Sequence, residues 1–536
     1  MNRKLKCWIL SITFSALLVT LFFSWYLESS IHGLEAITEQ EILQKISNCT
    51  PANNEKGEAI WGNLTINSHP APYDSETNCY FIPQPLSGKD LVGEIHWSNL
   101  LAKTYFVTDG DFEKSTSIEQ GTTYQLYVLL NNQYLEANIC FTGLPALVLS
   151  SDEVALQLYT NKELGREGKF LRVFDPDSDH GYEIVSCGVA ASPRGGQSLV
   201  YEKPQYRMDL YAQDLESLEI SVLGLPKGET LLLSAQEYES TKIRDAVARD
   251  IWNLICDHTK GYGNYYTPSM QFCEVFEDDR YLGLYGIMLR SPLNVNSFHY
   301  KDALIKLKVM INHSEVQENI ERDPKSVIDW TYLNQFSGHE NALWKLRSYY
   351  YSLEDYPESN LLESFYKENI IDYFLYLNSI SAVDNEITNC FFYQPVLDKD
   401  LSSFYRIPWD LDRSFGHPFG DEIDHDPALA MLTIVPKEIE QLLNTDHSVW
   451  SLMQERLFDL RESVLSEEEI QDLITEKAAY LESSGAYLRD FKIWGHPAGK
   501  TEIEVLSAYS KTHLIFLDQV FSQDTPEMLF QMRFSR

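Results

Sequence analysis

Positive charge is scarce in this chain: 43 Lys and Arg face 79 Asp and Glu, for a formal net charge of −36. No broad basic face is available for nucleic-acid phosphates, so a nucleic-acid partner is excluded, and an anionic substrate needs a local basic pocket or a metal ion. Cysteine is also sparse, eight in 536 residues. With no C-x-x-C pair and no His/Cys cluster at zinc-ligand spacing, zinc and thioredoxin-like chemistry fall away. Neither G-x-S-x-G nor H-E-x-x-H occurs, which removes the commonest hydrolase signatures. Gly495-His-Pro-Ala-Gly-Lys-Thr is one residue short of a P-loop. Internal repeats and long low-complexity tracts are absent.

What is present is a large apolar inventory. Hydrophobic residues make up 44% and aromatics 13%, enough for a substantial core over two to four domains or one elaborated one. The uncharged run from Trp8 to Tyr26 is long enough for a membrane helix of roughly 20 residues. Arg3, Lys4 and Lys6 precede it, and Trp25 and Tyr26 stand at its far end like an interfacial aromatic belt. This reads as an uncleaved signal anchor, with a cleaved signal as the alternative, and puts everything after about residue 27 outside the cytoplasm. Cys49 and Cys79 bracket a polar loop and form the best candidate disulfide.

The rest divides into a membrane-proximal linker over 28–57, a β-rich region over 58–143 and a larger domain over 144–525. Short β-rich runs such as Tyr124–Leu130 alternate with turns. The stretch Asp175-Pro-Asp-Ser-Asp-His-Gly has carboxylates at calcium-loop positions but neither the required Gly nor the closing Glu, so it reads as a hairpin tip. Residues 240–256 form an amphipathic helix with Ser240 as its N-cap. Beyond about residue 325 the pattern is mainly helical. Strands followed by helices predict an α+β, two-lobed arrangement, preceded by the membrane helix and the small β-rich region.

Two segments carry chemistry. A buried helix over 370–380, capped by Asn369, delivers the chain to Asp384, and Asn389 follows five residues later. Next comes Ile-Pro-Trp-Asp-Leu-Asp-Arg-Ser-Phe-Gly at 407–416. An extended backbone would put Asp410 and Asp412 on one face, about 7 Å apart at their Cα atoms, where they repel unless a cation or a base intervenes. A carboxylate base, an amide ligand and metal-binding carboxylates, in that order, are the parts of a kinase-type phosphoryl-transfer site.

The ordered set of motifs resembles the CotH kinase family, named for the bacterial spore-coat protein H. It comprises Arg194-Gly-Gly-Gln-Ser, Lys203-Pro-Gln-Tyr-Arg207, Tyr281-Leu-Gly-Leu-Tyr, Asp384 to Asn389, and Trp409-Asp-Leu-Asp-Arg-Ser-Phe-Gly. The resemblance implies a divergent protein-kinase fold that transfers the γ-phosphoryl of ATP, with Mg²⁺ or Mn²⁺, to Ser or Thr of a surface or secreted protein. It implies Asp384 as catalytic base, Asn389, Asp410 and Asp412 as metal ligands, and Lys203 or Arg207 as the phosphate contact. Leu289, followed by Arg290, departs from the Glu usual in the family near this point, which leaves nucleotide affinity open. A catalytically silent scaffold and an AMP transferase using the same nucleotide site are the alternatives.

Overall fold

Strands between residues 146 and 289 are mostly continuous apolar runs buried on both faces, such as Ala146–Ser150 and Arg280–Leu289, and there the chain closes on itself. The computed structural model describes residues 33–52, 61–85, 93–108, 119–151, 157–161, 165–179, 181–195, 197–259, 264–296, 298, 302–307, 365–386, 388–395, 403–417, 426–496 and 499–534. The strands are β1 (Ala146–Ser150), β2 (Glu167–Asp175), β3 (Glu183–Pro193), β4 (Tyr206–Tyr211), β5 (Thr230–Ser234), β6 (Met270–Glu277) and β7 (Arg280–Leu289). They form a closed seven-stranded barrel in the order β1-β2-β3-β4-β5-β7-β6. A parallel β1–β6 pair makes the closure, with Leu147 opposite Val275. Because side chains alternate, Leu171 and Val173 fill the barrel while Phe174 joins a second core outside it.

That second core belongs to the N-terminal region. A seven-stranded sheet, including Lys103–Thr108, Thr123–Leu130, Gln133–Thr142 and Cys79–Pro83, packs on the barrel wall. Phe81 meets Phe276 edge-on at 4.9 Å between ring centres. On another side lies α1 (Arg244–His258), whose Val247 and Ile251 pack in one core with the outward Met270 and Met288. Ser240 does not cap this helix; Ile243 is the N-cap, without a side-chain bond. Lys242 just before it takes a left-handed backbone (φ 60°), so the N-cap falls three residues later than the sequence suggests.

Downstream, β8 (Ala303–Lys306), β9 (Cys390–Gln394) and β10 (Tyr405–Pro408) form a small antiparallel sheet. Against it lies α2 (Lys367–Ser379), with every residue from Asn369 to Ser379 buried. Asn369 sits inside the first turn instead of capping it, and its side chain bonds both backbone groups of Arg406 in β10. Helices α3 (Lys437–Thr445), α4 (Ser448–Arg461), α5 (Glu467–Ser483), α6 (Ala486–Trp494) and α7 (Lys500–Phe521) complete the core around α2.

Three expectations are corrected. The two-lobed α+β arrangement led by a membrane helix gives way to a largely β structure built on a closed barrel, with most of the described helices, though not α1, towards the C-terminal end. The run 8–26 lies outside the described residues, and among those described no helix is long and apolar enough to cross a membrane. The longest, α7, carries Lys500, Glu502, Glu504, Lys511 and Asp518, which bar it from hydrocarbon. Single-pass anchoring, and the extracytoplasmic placement that depended on it, therefore have no support in the described structure. Finally, Cys49 and Cys79 are both free thiols, Cys79 buried within its strand.

Candidate active site

The β9–β10 hairpin brings the two chemistry-bearing segments together. Cys390 pairs with Pro408, so Asn389 and Trp409 are the next residues out at the same end, where Trp409 N–H donates to Asn389 O at 2.9 Å. The fully buried Asn385 side chain then donates to Asn389 O at 2.8 Å and Trp409 O at 2.7 Å. Asn389 (φ 52°) and Asp410 (φ 57°) both adopt the left-handed conformation. That backbone costs an L-residue about 1 kcal/mol or more, least for Asn and Asp, and persists where the surroundings over-determine it.

These two turns aim the side chains. The Asn389 amide donates to Asp384 Oδ2 at 2.7 Å. Strand β10 stops at Pro408, so the left-handed Asp410 and the turn beginning at Asp412 gather the two carboxylates in place of strand alternation. The charges are felt strongly there. Burial pushes the Asp412 carboxyl up to about 8, and the neighbouring Asp410, Asp245 and Asp384 add to the rise while Arg413 opposes it.

An oxygen-only donor set of crowded carboxylates with an amide suits a hard divalent cation. Asp410, Asp412 and the Asn389 amide oxygen are the groups that would hold it. Among the described residues no three His, Cys, Asp or Glu side chains stand in ready ligating geometry. A donor set of two carboxylates completed by phosphate and water is how Mg²⁺ is usually held.

The other expected site residues lie elsewhere. Lys203 is fully buried; its ammonium donates to Leu284 O and to Asp490 of α6, both at 2.6 Å, and sits 4.7 Å from the Tyr285 ring centre. Burial lowers its pKa to about 8 against the pull of Asp490. Arg207, on β4, bonds Asp209. Leu289 ends β7 inside the barrel core, opposite Leu231. The structure thus brings Asp384, Asn389, Asp410 and Asp412 together, and sets Arg207 on barrel strand β4 and Lys203 in the bend before it, against α6, instead of on the expected strand.

Sequence reasoning missed Asp245 and Arg249, both buried on α1. The signal was an oppositely charged pair four residues apart on a helix, here turned inward. It also missed Asn385, between Asp384 and the expected ligands, and Lys306 of β8, whose ammonium is 5.8 Å from the Trp409 ring centre. A lone Lys in the apolar run Ala303-Leu-Ile-Lys was its trace.

Among known families, the model described as CotH kinase protein matches residues 191–516. That span holds every site residue named above and begins inside β3, leaving β1 and β2 outside it. No curated protein matches the chain.

Proposed function

Because this chain belongs to the CotH kinase family, we propose that it transfers the γ-phosphoryl group of ATP to a Ser or Thr hydroxyl of a surface or secreted protein, with Mg²⁺ or Mn²⁺. The observation carrying this reading is the meeting, at one end of the β9–β10 hairpin, of the Asp384–Asn389 hydrogen bond with the Asp410 and Asp412 carboxylates.

In this reading Asp384 takes the proton of the attacking hydroxyl, its carboxylate oriented by the Asn389 amide. The hydroxyl oxygen bonds to the γ-phosphorus as the bond to the β-phosphate oxygen breaks, and ADP leaves. Asp410, Asp412 and Asn389 hold the divalent cation, which when bound neutralises the phosphate charge that this acidic protein would otherwise repel. Positioning and charge neutralisation supply most of the rate.

A test incubates the full chain with γ-labelled ATP and Mg²⁺ or Mn²⁺, beside Asp384→Ala and Asp410→Ala. Metal-dependent label in wild type that is lost in both variants supports the assignment. No label, together with no metal-dependent thermal shift from ATP, overturns it. An adduct with the mass of AMP would mean nucleotidyl transfer from the same site. One observation favours a second reading, a silent scaffold for surface or spore-coat assembly: the Lys203 ammonium is committed to Asp490 and the Leu284 carbonyl.

A further inference from the structure

Asp410 is strained, and its neighbours on both sides are held by groups outside its own hairpin. Asp245, on the first turn of α1 and 2% exposed, accepts the Leu411 N–H at 3.3 Å. The same carboxylate pairs with Arg249 one turn later, through Nε at 2.7 Å and the terminal nitrogen at 3.4 Å. The Arg249 guanidinium lies 4.8 Å from the Trp409 ring centre and donates to Pro268 O at 3.0 Å and Thr267 Oγ1 at 3.4 Å. Thr267 Oγ1 donates in turn to Pro408 O at 2.9 Å. Residues 408, 409 and 411 are therefore each fastened to α1 or to the loop following it, on both sides of the left-handed Asp410, whose charge is felt by Asp245 and Asp412.

We infer that Asp245 and Arg249 are positioning residues: together they hold the backbone around Asp410 in the left-handed turn that presents its carboxylate to the cation. This rests on the reading of Asp410 as a cation ligand. The physical logic is that a left-handed non-Gly residue relaxes unless surrounding contacts over-determine it. Groups that orient a metal ligand without touching the metal then set affinity nearly as strongly as the ligand itself. Both side chains are buried and paired on α1, so a small displacement of that helix would reach Asp410 through two fixed links, a hydrogen bond to Leu411 and a stacked ring at Trp409.

The test uses the full chain with Asp245→Ala, Asp245→Asn, Arg249→Ala and Arg249→Lys, and it has two readouts. The first is the Mn²⁺ concentration giving half-maximal label transfer; the second is amide hydrogen exchange in the peptide covering 409–413, which needs neither metal nor activity. Both Ala variants should need about 10- to 100-fold more Mn²⁺ and exchange faster at Leu411. Asp245→Asn, which keeps the acceptor for Leu411, should recover part of both losses. Arg249→Lys, which keeps the charge without the flat guanidinium, should recover less. Variants that melt at a lower temperature but keep wild-type exchange at 409–413 and wild-type Mn²⁺ dependence would show a merely structural pair and overturn the inference. Wild type that neither labels nor responds to Mn²⁺ would instead defeat the proposed function, and the exchange readout would still decide whether the pair fixes the turn.

Discussion

Asn389 donates its side-chain amide to Asp384 across 2.7 Å while its own backbone is left-handed, so one residue both orients the candidate base and turns the chain into β9. The two duties can be separated by substitution. Asn389→Gly keeps the turn and removes the amide; Asn389→Ala removes the amide and strains the turn. Both should lose label transfer, and urea unfolding should find the Ala variant less stable than the Gly variant by about 1 kcal/mol. Equal stabilities would mean that the left-handed turn is not a constraint at Asn389.

The raised Asp412 carboxyl gives a pH signature. Well below its ordinary value of 3.8 the group is protonated in both folded and unfolded chains and contributes no pH dependence. From there up to about 8 the folded protein keeps a proton that the unfolded chain releases, so stability without metal should fall as pH rises, and the fall should level off above about 8. Melting temperatures between pH 5 and 9 should show this slope, Mg²⁺ should offset it at the alkaline end, and Asp412→Asn should flatten it. A metal-free profile that rises over this interval and is unchanged in Asp412→Asn would contradict the account.

Lys203 and Asp490 predict a stability effect. Lys203→Met leaves the Asp490 carboxylate buried without its nearest cation and should cost about 3–5 kcal/mol in urea unfolding. Lys203→Met combined with Asp490→Leu should recover part of that. Measured where the single variant is still folded, its KM for ATP should stay near wild type. A KM rise without loss of stability would return Lys203 to a phosphate-binding role.

The last glycine of the Asp410 motif is required by shape. Gly416 has φ 81°, and a Cβ there would overlap the Tyr509 ring of α7. Gly416→Ala should therefore cost about 2 kcal/mol or more through strain and overpacking together. Shrinking the ring with Tyr509→Leu should remove part of the overpacking share but not the strain, which double-mutant unfolding would resolve.

How far the sequence reaches can be judged residue by residue. That Asp384, Asn389, Asp410 and Asp412 come close together was legible because phosphoryl-transfer chemistry needs such side chains in a fixed order, and order survives in a one-dimensional string; the role of each belongs to the proposal. The strands of the barrel were legible as β-rich runs broken by turn residues such as Asp175-Pro-Asp-Ser-Asp-His-Gly. Closure was not, because the β1–β6 pairing joins Leu147 to Val275 across more than a hundred residues, and no local pattern encodes it. The burial of Lys203 was hidden for the same reason, since its partner Asp490 lies 287 residues away. Extended geometry at 410–412 failed because contacts with Asp245 and Arg249, invisible locally, override the strand continuing from β10. The cysteine bridge failed because bracketing a loop in sequence says nothing about where two sulfurs end up.

Helix α6 shows what such distant partnerships mean for a chain emerging from the ribosome. Arg489 bonds Glu274, Thr142 and the Gly121 carbonyl, and Asp490 bonds Leu284 N–H and Lys203. Until synthesis has passed residue 490, Glu274 and Lys203 lack these counter-charges, and a barrel closed over them would carry them buried and uncompensated. The barrel and the N-terminal sheet, though translated before α6, therefore reach their final form only after α6 has emerged. Nascent chains stalled short of α6 should be conspicuous clients of chaperones and proteases.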